Sequence, residues 1–185
     1  MPSPTLPIQT ERLLLRPFTA DDLDALHAIQ SRPDVTRYLY WGPRSREEVR
    51  EGLAARLAPA GLEEEGDRVA VAAVRRDSGA LIGDFTLWLR SKEHRQGEVG
   101  FLTHPDHHGR GFATEAGLVL LRLGFETFGL HRIVGRCDGR NAASARLMER
   151  LGMRREAHFR QNEFVKGEWT DELVYAMLAG EWATR

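Results

Sequence analysis

The stretch HPDHHGRGFATEA, residues 104–116, gathers three histidines, two glycines separated by one arginine, and the start of an apolar run. These residue types suit three different chemistries. His104, His107 and His108 offer three imidazoles, and three nitrogen ligands with an open position suit a catalytic zinc. Pro105 and Asp106 interrupt the set, and no second His/Asp cluster follows to complete it in the way H-E-x-x-H spacing would. No metal is expected. GRGFAT also lacks the Gly-Lys-Ser/Thr ending of a P-loop and the third glycine of a dinucleotide fingerprint. What fits is a strand, a glycine-bearing turn and a helix whose free amides point back at the turn. Orphan amides and the positive end of the dipole make such an N-terminus an anion site. Gly109 and Gly111 carry no Cβ to keep a ligand off the backbone, and Arg110 adds a positive charge. From this stretch alone a plain permissive loop remains the alternative.

Neighbouring elements must position that loop. GEVGFLTH is a strand that runs straight into it and ends at Pro105, which has no N–H to donate. From Phe112 to Phe128 apolar residues recur at three- and four-residue steps, giving a helix with Gly129 as its stop. Earlier in the chain, residues 11–18 alternate as a first strand. Thr19 caps a helix through TADDLDALHAI, with Asp21 and Asp22 in its first turn. Ser45 and Glu48 form a capping box for another helix, and RVAVAAVR and ALIGDFTLWL are strands joined by a turn at RDSG. Later, HRIVGRCD is a strand, NAASARLMERLG a helix from an Asn141 cap to a glycine stop, and residues 153–178 two strands around Lys166-Gly167. Cys137 alternates with Ile133 and Gly135 and is expected in the core. Ser144 shares a helical face with Leu147, Met148 and Leu151, so it points inward near the N-terminus; its other reading is a serine that satisfies first-turn amides. Glu98 and Glu163 are strand carboxylates, whose common fate is solvent. Tyr38, Tyr40 and Trp41 either pack locally or line a site. The order of elements predicts one mixed α/β domain over residues 1–185, with a mostly antiparallel sheet and interspersed helices.

The chain has 185 residues, 42% of them hydrophobic and 29% charged, as expected of a soluble globular protein. Its 26 basic and 27 acidic residues leave a formal net charge of −1, which gives no electrostatic footprint for nucleic acid. Cys137 is the only cysteine, so no disulfide framework is possible within the chain and a reducing compartment is the natural setting. MPSPTLPIQTERL has neither the basic start nor the apolar core of a secretory signal, and no stretch reaches membrane-spanning length. A cytoplasmic protein with no membrane contact is expected.

The window HGRGFA, residues 108–113, resembles motif A of the GNAT acetyltransferases: Gln or Arg, two variable residues, Gly, one variable residue, then Gly or Ala. His108 departs from the first position. TERLLLRPFTADDLDAL resembles the opening of the branch that contains the ribosomal-protein N-terminal alanine acetyltransferases. NAASARLMERLGM resembles the family's second coenzyme-side helix, and QNEFVKGEWTDELVYAML that branch's closing hairpin. The matches run in order from about residue 10 to residue 178. The resemblance implies a central, splayed sheet flanked by helices, with acetyl-coenzyme A as co-substrate and no metal. It places the pyrophosphate on the loop of His108, Gly109, Arg110, Gly111, Phe112, Ala113 and Thr114. The thioester and pantetheine arm would lie along free backbone groups of Phe101, Leu102 and Thr103, with Asn141 contacting the arm. An amine would attack the thioester directly, with no acyl-enzyme. Many members use a tyrosine to protonate the departing thiolate; Met148 holds that position here, and the branch's serine, Ser144, is the substitute. Glu163 matches the branch's base, with Glu98 or an ordered water as rivals. The acceptor implied is a primary amine, either a protein N-terminus or a small molecule, and a homodimer is implied as well. A coenzyme-binding module without catalysis is the alternative, supported by the missing tyrosine.

Overall fold

The computed structural model describes residues 4–57 and 61–185. In chain order it contains β1 (Ile8–Gln9), β2 (Leu13–Arg16), α1 (Leu23–Gln30), α2 (Pro33–Thr36), α3 (Arg46–Ala54), β3 (Arg68–Arg75), β4 (Leu81–Ser91), β5 (Gln96–Thr103), α4 (Phe112–Arg122), β6 (Arg132–Asp138), α5 (Ala142–Arg150), β7 (Arg154–Val165), β8 (Glu168–Leu178) and α6 (Ala179–Ala183). No helix among the described residues is long and apolar enough to cross a membrane.

The local chemistry explains most boundaries. Ser45 and Glu48 form the expected reciprocal cap of α3. At α1 the Thr19 amide donates to Asp22 at 2.8 Å, but the first turn is a tight 3-10 turn, Ala20–Asp22, and the regular helix begins only at Leu23. The strand expected over residues 11–18 is shorter. The Thr10 amide donates to the Leu13 carbonyl at 2.9 Å and the Leu13 amide donates back to the Thr10 hydroxyl at 3.1 Å, and this turn folds β1 back onto β2. The helix from Phe112 is regular to Arg122, then widens into a π-helical turn, Leu123–Thr127. α2 and α6 are too short to give a periodic signal.

One eight-stranded sheet runs in the order β1-β2-β3-β4-β5-β6-β8-β7, antiparallel throughout except for β5 against β6. The larger core lies between this sheet and α4 and α5, around Phe85, Leu87, Leu120, Ile133, Met148 and Leu151. A smaller one, around Phe18, Leu26, Val49 and Leu53, seats α1 and α3 on the opposite face.

The parallel pair does not run the length of its strands. β5 stays with β4 from Ser91↔Gln96 to Gly83↔Thr103, but pairs with β6 only from Gln96↔Arg132 to Val99↔Gly135. Beyond that point β6 continues on β8 as far as Asp138↔Glu172. A fork therefore opens between residues 100–103 and residues 136–138, and the sheet is splayed as expected.

α5 seats flush on β6 at the base of this fork, because Gly135 leaves room for Met148, only 1% exposed. A Cβ at Gly135 would lie 2.5 Å from Met148 Sδ. Gly135→Val should lower unfolding stability by about 2–3 kcal/mol through overpacking, seen as a lower urea midpoint with an unchanged slope. An unchanged midpoint would mean that α5 can move away without loss.

Candidate active site

On one side of the fork β5 runs into the loop singled out above. Gly109 and Gly111 both have positive φ, 72° and 81°, and Gly111 is the residue that opens α4. The first backbone bond of the helix runs from the Glu115 amide to the Gly111 carbonyl at 3.0 Å. Among the described residues, no hydrogen-bond partner is recorded for the amides of residues 109–114. A Cβ built at Gly109 meets nothing within 4 Å, so the space beside the loop is open. The side chains of Phe112 and Ala113 pack with the core, leaving their amides as the available groups.

The loop is held from outside by residues that sequence reasoning missed. Arg12 Nη1 donates to the Arg110 carbonyl at 2.8 Å, and the Arg12 amide and Nε each donate to Glu115 at 2.8 Å. Thr10 Oγ1 adds a third donor at 2.5 Å. Burial would raise the Glu115 carboxyl, but the Thr10 and Arg12 bonds together hold it below the ordinary range. The guanidiniums of Arg12, Arg110 and Arg75 stand 4.6, 5.2 and 5.5 Å from the centre of the Phe112 ring. Burial, then Arg75, His104 and Arg110, push the His107 imidazole down. Arg12 and Arg75 are paired with Glu115 and Asp77, and Arg110 forms no ion pair among the described residues.

The histidines have local tasks. His108 Nε2 lies 2.8 Å from Thr103 Oγ1 and 3.2 Å from the Thr103 carbonyl, tying the loop to the end of β5. His104 Nδ1 accepts from the Asp106 amide at 3.3 Å, and His107 packs edge-on to Phe112. Thr114 Oγ1 accepts from Arg150 Nε at 3.4 Å, a link from α4 to α5. Phe101 packs against Phe85, and Leu102 and Thr103 are half-buried beside it.

At the base of the fork lies a cavity of about 160 Å³ whose lining includes Tyr38, Tyr40, Glu98, Phe101, Arg136, Cys137, Asn141, Ser144 and Glu163. Asn141 Oδ1 accepts from the Ser144 amide at 3.1 Å, so asparagine is the cap and the Ser144 hydroxyl is not spent on it. Ser144 and Cys137 line the same cavity. Burial pushes the Cys137 thiol up to about 11, against a smaller downward pull from Ser144. Cys137 is not a core residue as expected: it is half-buried, with one side against the core and the other in the cavity, because β6 has lost its neighbour there.

The carboxylates are unequal. Glu98 is paired with Arg90 at 3.0 Å and Arg136 at 3.8 Å. Glu172, only 3% exposed, is paired with Arg136 at 3.2 Å and accepts from Asn162 at 2.9 Å. Glu163 accepts a 2.6 Å bond from the Tyr40 phenol, and among the described residues no Lys, Arg or His forms an ion pair with it. Its placement depends on a bulge between Phe159 and Glu163, where Gln161 takes φ 47° and donates its amide to Asp171 at 2.9 Å. Bulges of this kind re-aim side chains, and this one sets Glu163 on the cavity side. Partial desolvation of the hydroxyl and the adjacent Glu163 carboxylate push the Tyr40 phenol above its ordinary value, so it remains a donor.

A family model described as an acetyltransferase (GNAT) domain matches residues 12–154. The chain belongs to the GNAT acetyltransferases. The uncharacterized N-acetyltransferase YnaD of Bacillus subtilis (strain 168) is 32% identical over 95% of this chain and 98% of its own. The crystal structure of a GNAT-family acetyltransferase from Bacillus anthracis matches at TM-score 0.85 and 32% identity, covering 94% of this chain and 99% of that one. The spermidine N(1)-acetyltransferase of Vibrio cholerae serotype O1 is 25% identical over 94% of this chain and 97% of its own. As a GNAT enzyme this chain is an acetyl-CoA-dependent N-acetyltransferase. The amides of residues 109–114, unpartnered among the described residues, the open face of Gly109 and the Arg110 guanidinium fit the pyrophosphate of that co-substrate.

Two measurements check this geometry. Arg12→Ala frees the Arg110 carbonyl and leaves Glu115 unpaired beside an anion site, so the dissociation constant for acetyl-CoA should rise about tenfold by calorimetry. Unchanged affinity would show that the loop holds its shape without the brace. At pH 8 iodoacetamide should alkylate native Cys137 at least about a hundredfold more slowly than free cysteine, because so little is thiolate. A rate close to that of free cysteine would overturn the protonated, half-buried thiol.

Proposed function

We propose that this N-acetyltransferase acetylates the α-amine of a peptide N-terminus by direct attack on the thioester, with Glu163 as base and Ser144 as acid. The observation that carries the reading is the unpaired state of Glu163. Glu98 and Glu172 share Arg90 and Arg136, whereas Glu163 has only a neutral donor, which occupies Oε2 and leaves Oε1 for a substrate. One uncompensated carboxylate suits one ammonium group. It also suits an α-amine in particular, because an amine of pKa about 8 needs far less help to lose its proton than a lysine at about 10.4. The spermidine-specific relative motivates a polyamine reading, but a polycation would need further free carboxylates, and the others lining this cavity already have cation partners.

The co-substrate supplies the acetyl thioester. The amides of residues 109–114 and Arg110 would hold its phosphates, and the backbone of residues 101–103, which has lost its neighbour on the β6 side, would orient the arm. Glu163 Oε1 takes the amine proton. The Ser144 hydroxyl, on the opposite wall, gives a proton to the departing sulfur. Cys137 stays a thiol and takes no acetyl group. Glu98 holds Arg136 in place and is not needed as a base.

A thiol-release assay comparing an alanyl peptide, spermidine and free lysine tests the acceptor: the peptide should be turned over fastest, and a preference for spermidine would overturn the α-amine reading. Ser144→Ala should lower kcat about a hundredfold or more with coenzyme affinity within about twofold. Glu163→Gln should lower kcat/KM about a hundredfold with coenzyme affinity unchanged, and an unchanged kcat/KM would assign the base elsewhere. Tight coenzyme binding without turnover on any amine would instead fit a binding module, the reading that Met148 in place of tyrosine favours.

A further inference from the structure

Two polar contacts cross the mouth of the cavity between parts of the chain more than a hundred residues apart. Lys166 Nζ donates to the Thr36 carbonyl at 2.7 Å and reaches the Arg37 carbonyl at 3.4 Å. This fixes the turn of the β7–β8 hairpin to the C-terminal end of α2. The Tyr40 phenol donates to Glu163, four residues further along the same segment. Tyr38, Leu39 and Tyr40 form one wall of the cavity, and Glu163 and Val165 belong to the other. Tyr40 is 67% exposed, so these contacts lie at the entrance and not on the floor.

The backbone at Lys166 indicates that the side chain, and not the turn, accounts for a lysine there. Lys166 and Gly167 have φ of 52° and 86° and make the two-residue connection between β7 and β8. A connection with both central residues at positive φ favours Asn, Asp or Gly at its first position. Lysine is a poorer choice for that conformation. Its ammonium, however, is a compact cation with three donors on a long stem, able to reach both carbonyls at the end of α2.

We propose that Lys166 is a positioning residue for acceptor binding. It pins the segment carrying Tyr38 and Tyr40 to the hairpin carrying Glu163, and so sets the width of the entrance and keeps the Tyr40–Glu163 bond in register. Lys166 touches no reacting atom. The inference rests on the assignment of the cavity as the acceptor site.

Lys166→Asn separates the turn from the tether, because asparagine suits the turn better than lysine but cannot reach α2. Its thermal midpoint should not fall. Hydrogen exchange in the segment of residues 36–41 should accelerate about tenfold or more as the tether is lost, with no change in residues 109–114. For the alanyl peptide, KM should rise about tenfold, with kcat within about threefold and coenzyme affinity unchanged. Lys166→Arg retains a donor and should restore KM to within about threefold of the starting protein. Tyr40→Phe combined with Lys166→Asn should raise KM by less than the product of the two single effects, since both act on one contact surface. Unchanged exchange at residues 36–41 overturns the clasp, as does a loss confined to kcat or an equal loss in the Arg and Asn variants. Failure of the starting protein to use the alanyl peptide overturns the acceptor assignment instead, and the exchange measurement then still decides whether Lys166 holds the two walls together.

Discussion

The structure depends on the point at which β5 and β6 part company. Each strand keeps its outer partner, β4 or β8, after losing the inner one at Val99↔Gly135. Buried backbone groups need partners, so a gap inside a sheet is sustained only if something else can use the groups it releases. The proposed function assigns those groups to the acyl donor. The fork also places the two helix starts. α4 follows the strand on one side and α5 follows the strand on the other, so each helix begins beyond one prong of the fork.

Charge is divided along this opening. At the loop end Arg12, Arg75 and Arg110 surround Phe112. Glu115 is already saturated by Thr10 and Arg12 and Asp77 is paired with Arg75, so Arg110 is the guanidinium of the three without a carboxylate partner among the described residues. That arrangement favours a polyanion without placing an anion against it. At the cavity end Arg136 binds Glu172 and approaches Glu98, which leaves Glu163 as the carboxylate free to meet a cation. In the proposed function an anionic donor would be drawn to one end and a cationic acceptor to the other, with their reactive ends at the base of the fork.

Local signals were legible in the sequence and long-range ones were not. The loop could be read because a strand, two spaced glycines and an apolar helix stand next to one another in the chain, and each has its own period or turn residue. The inward face of Ser144 followed from helical spacing, and the Asn141 cap from residue type. Glu163 was reached through family resemblance only. Alternation along β7 could not place it, because the bulge at residues 160–162 inserts a register change that no turn residue announces. Cys137 shows the same limit from the other side: alternation gives a core position for a strand covered along both edges, but β6 is uncovered just where the cysteine sits. Arg12 to Arg110, Tyr40 to Glu163 and Lys166 to Thr36 join residues 98, 123 and 130 positions apart. Nothing in a single sequence signals such pairs, since each side chain is an ordinary surface type until the fold brings its partner near.

The methionine at residue 148 is best understood together with the helix end. Met148 and Ser144 lie one turn apart on the same face of α5, and Met148 is buried against Gly135, where a phenol would find no open path to the fork. The proposed acid thus sits a turn closer to the N-terminus, in the first turn of the helix, where the dipole most favours negative charge. Asn141 has already taken the Ser144 amide, so the serine hydroxyl is not drawn back into capping. A serine alcohol is a far weaker acid than a phenol, and this location compensates in part, because the same helix end that eases proton loss from Ser144 also stabilises negative charge on a departing sulfur nearby. Absence of the tyrosine therefore does not imply absence of chemistry. In the proposed function the electrostatic work passes from an acidic side chain to the backbone of α5, with β6 and Met148 holding that helix where the fork opens.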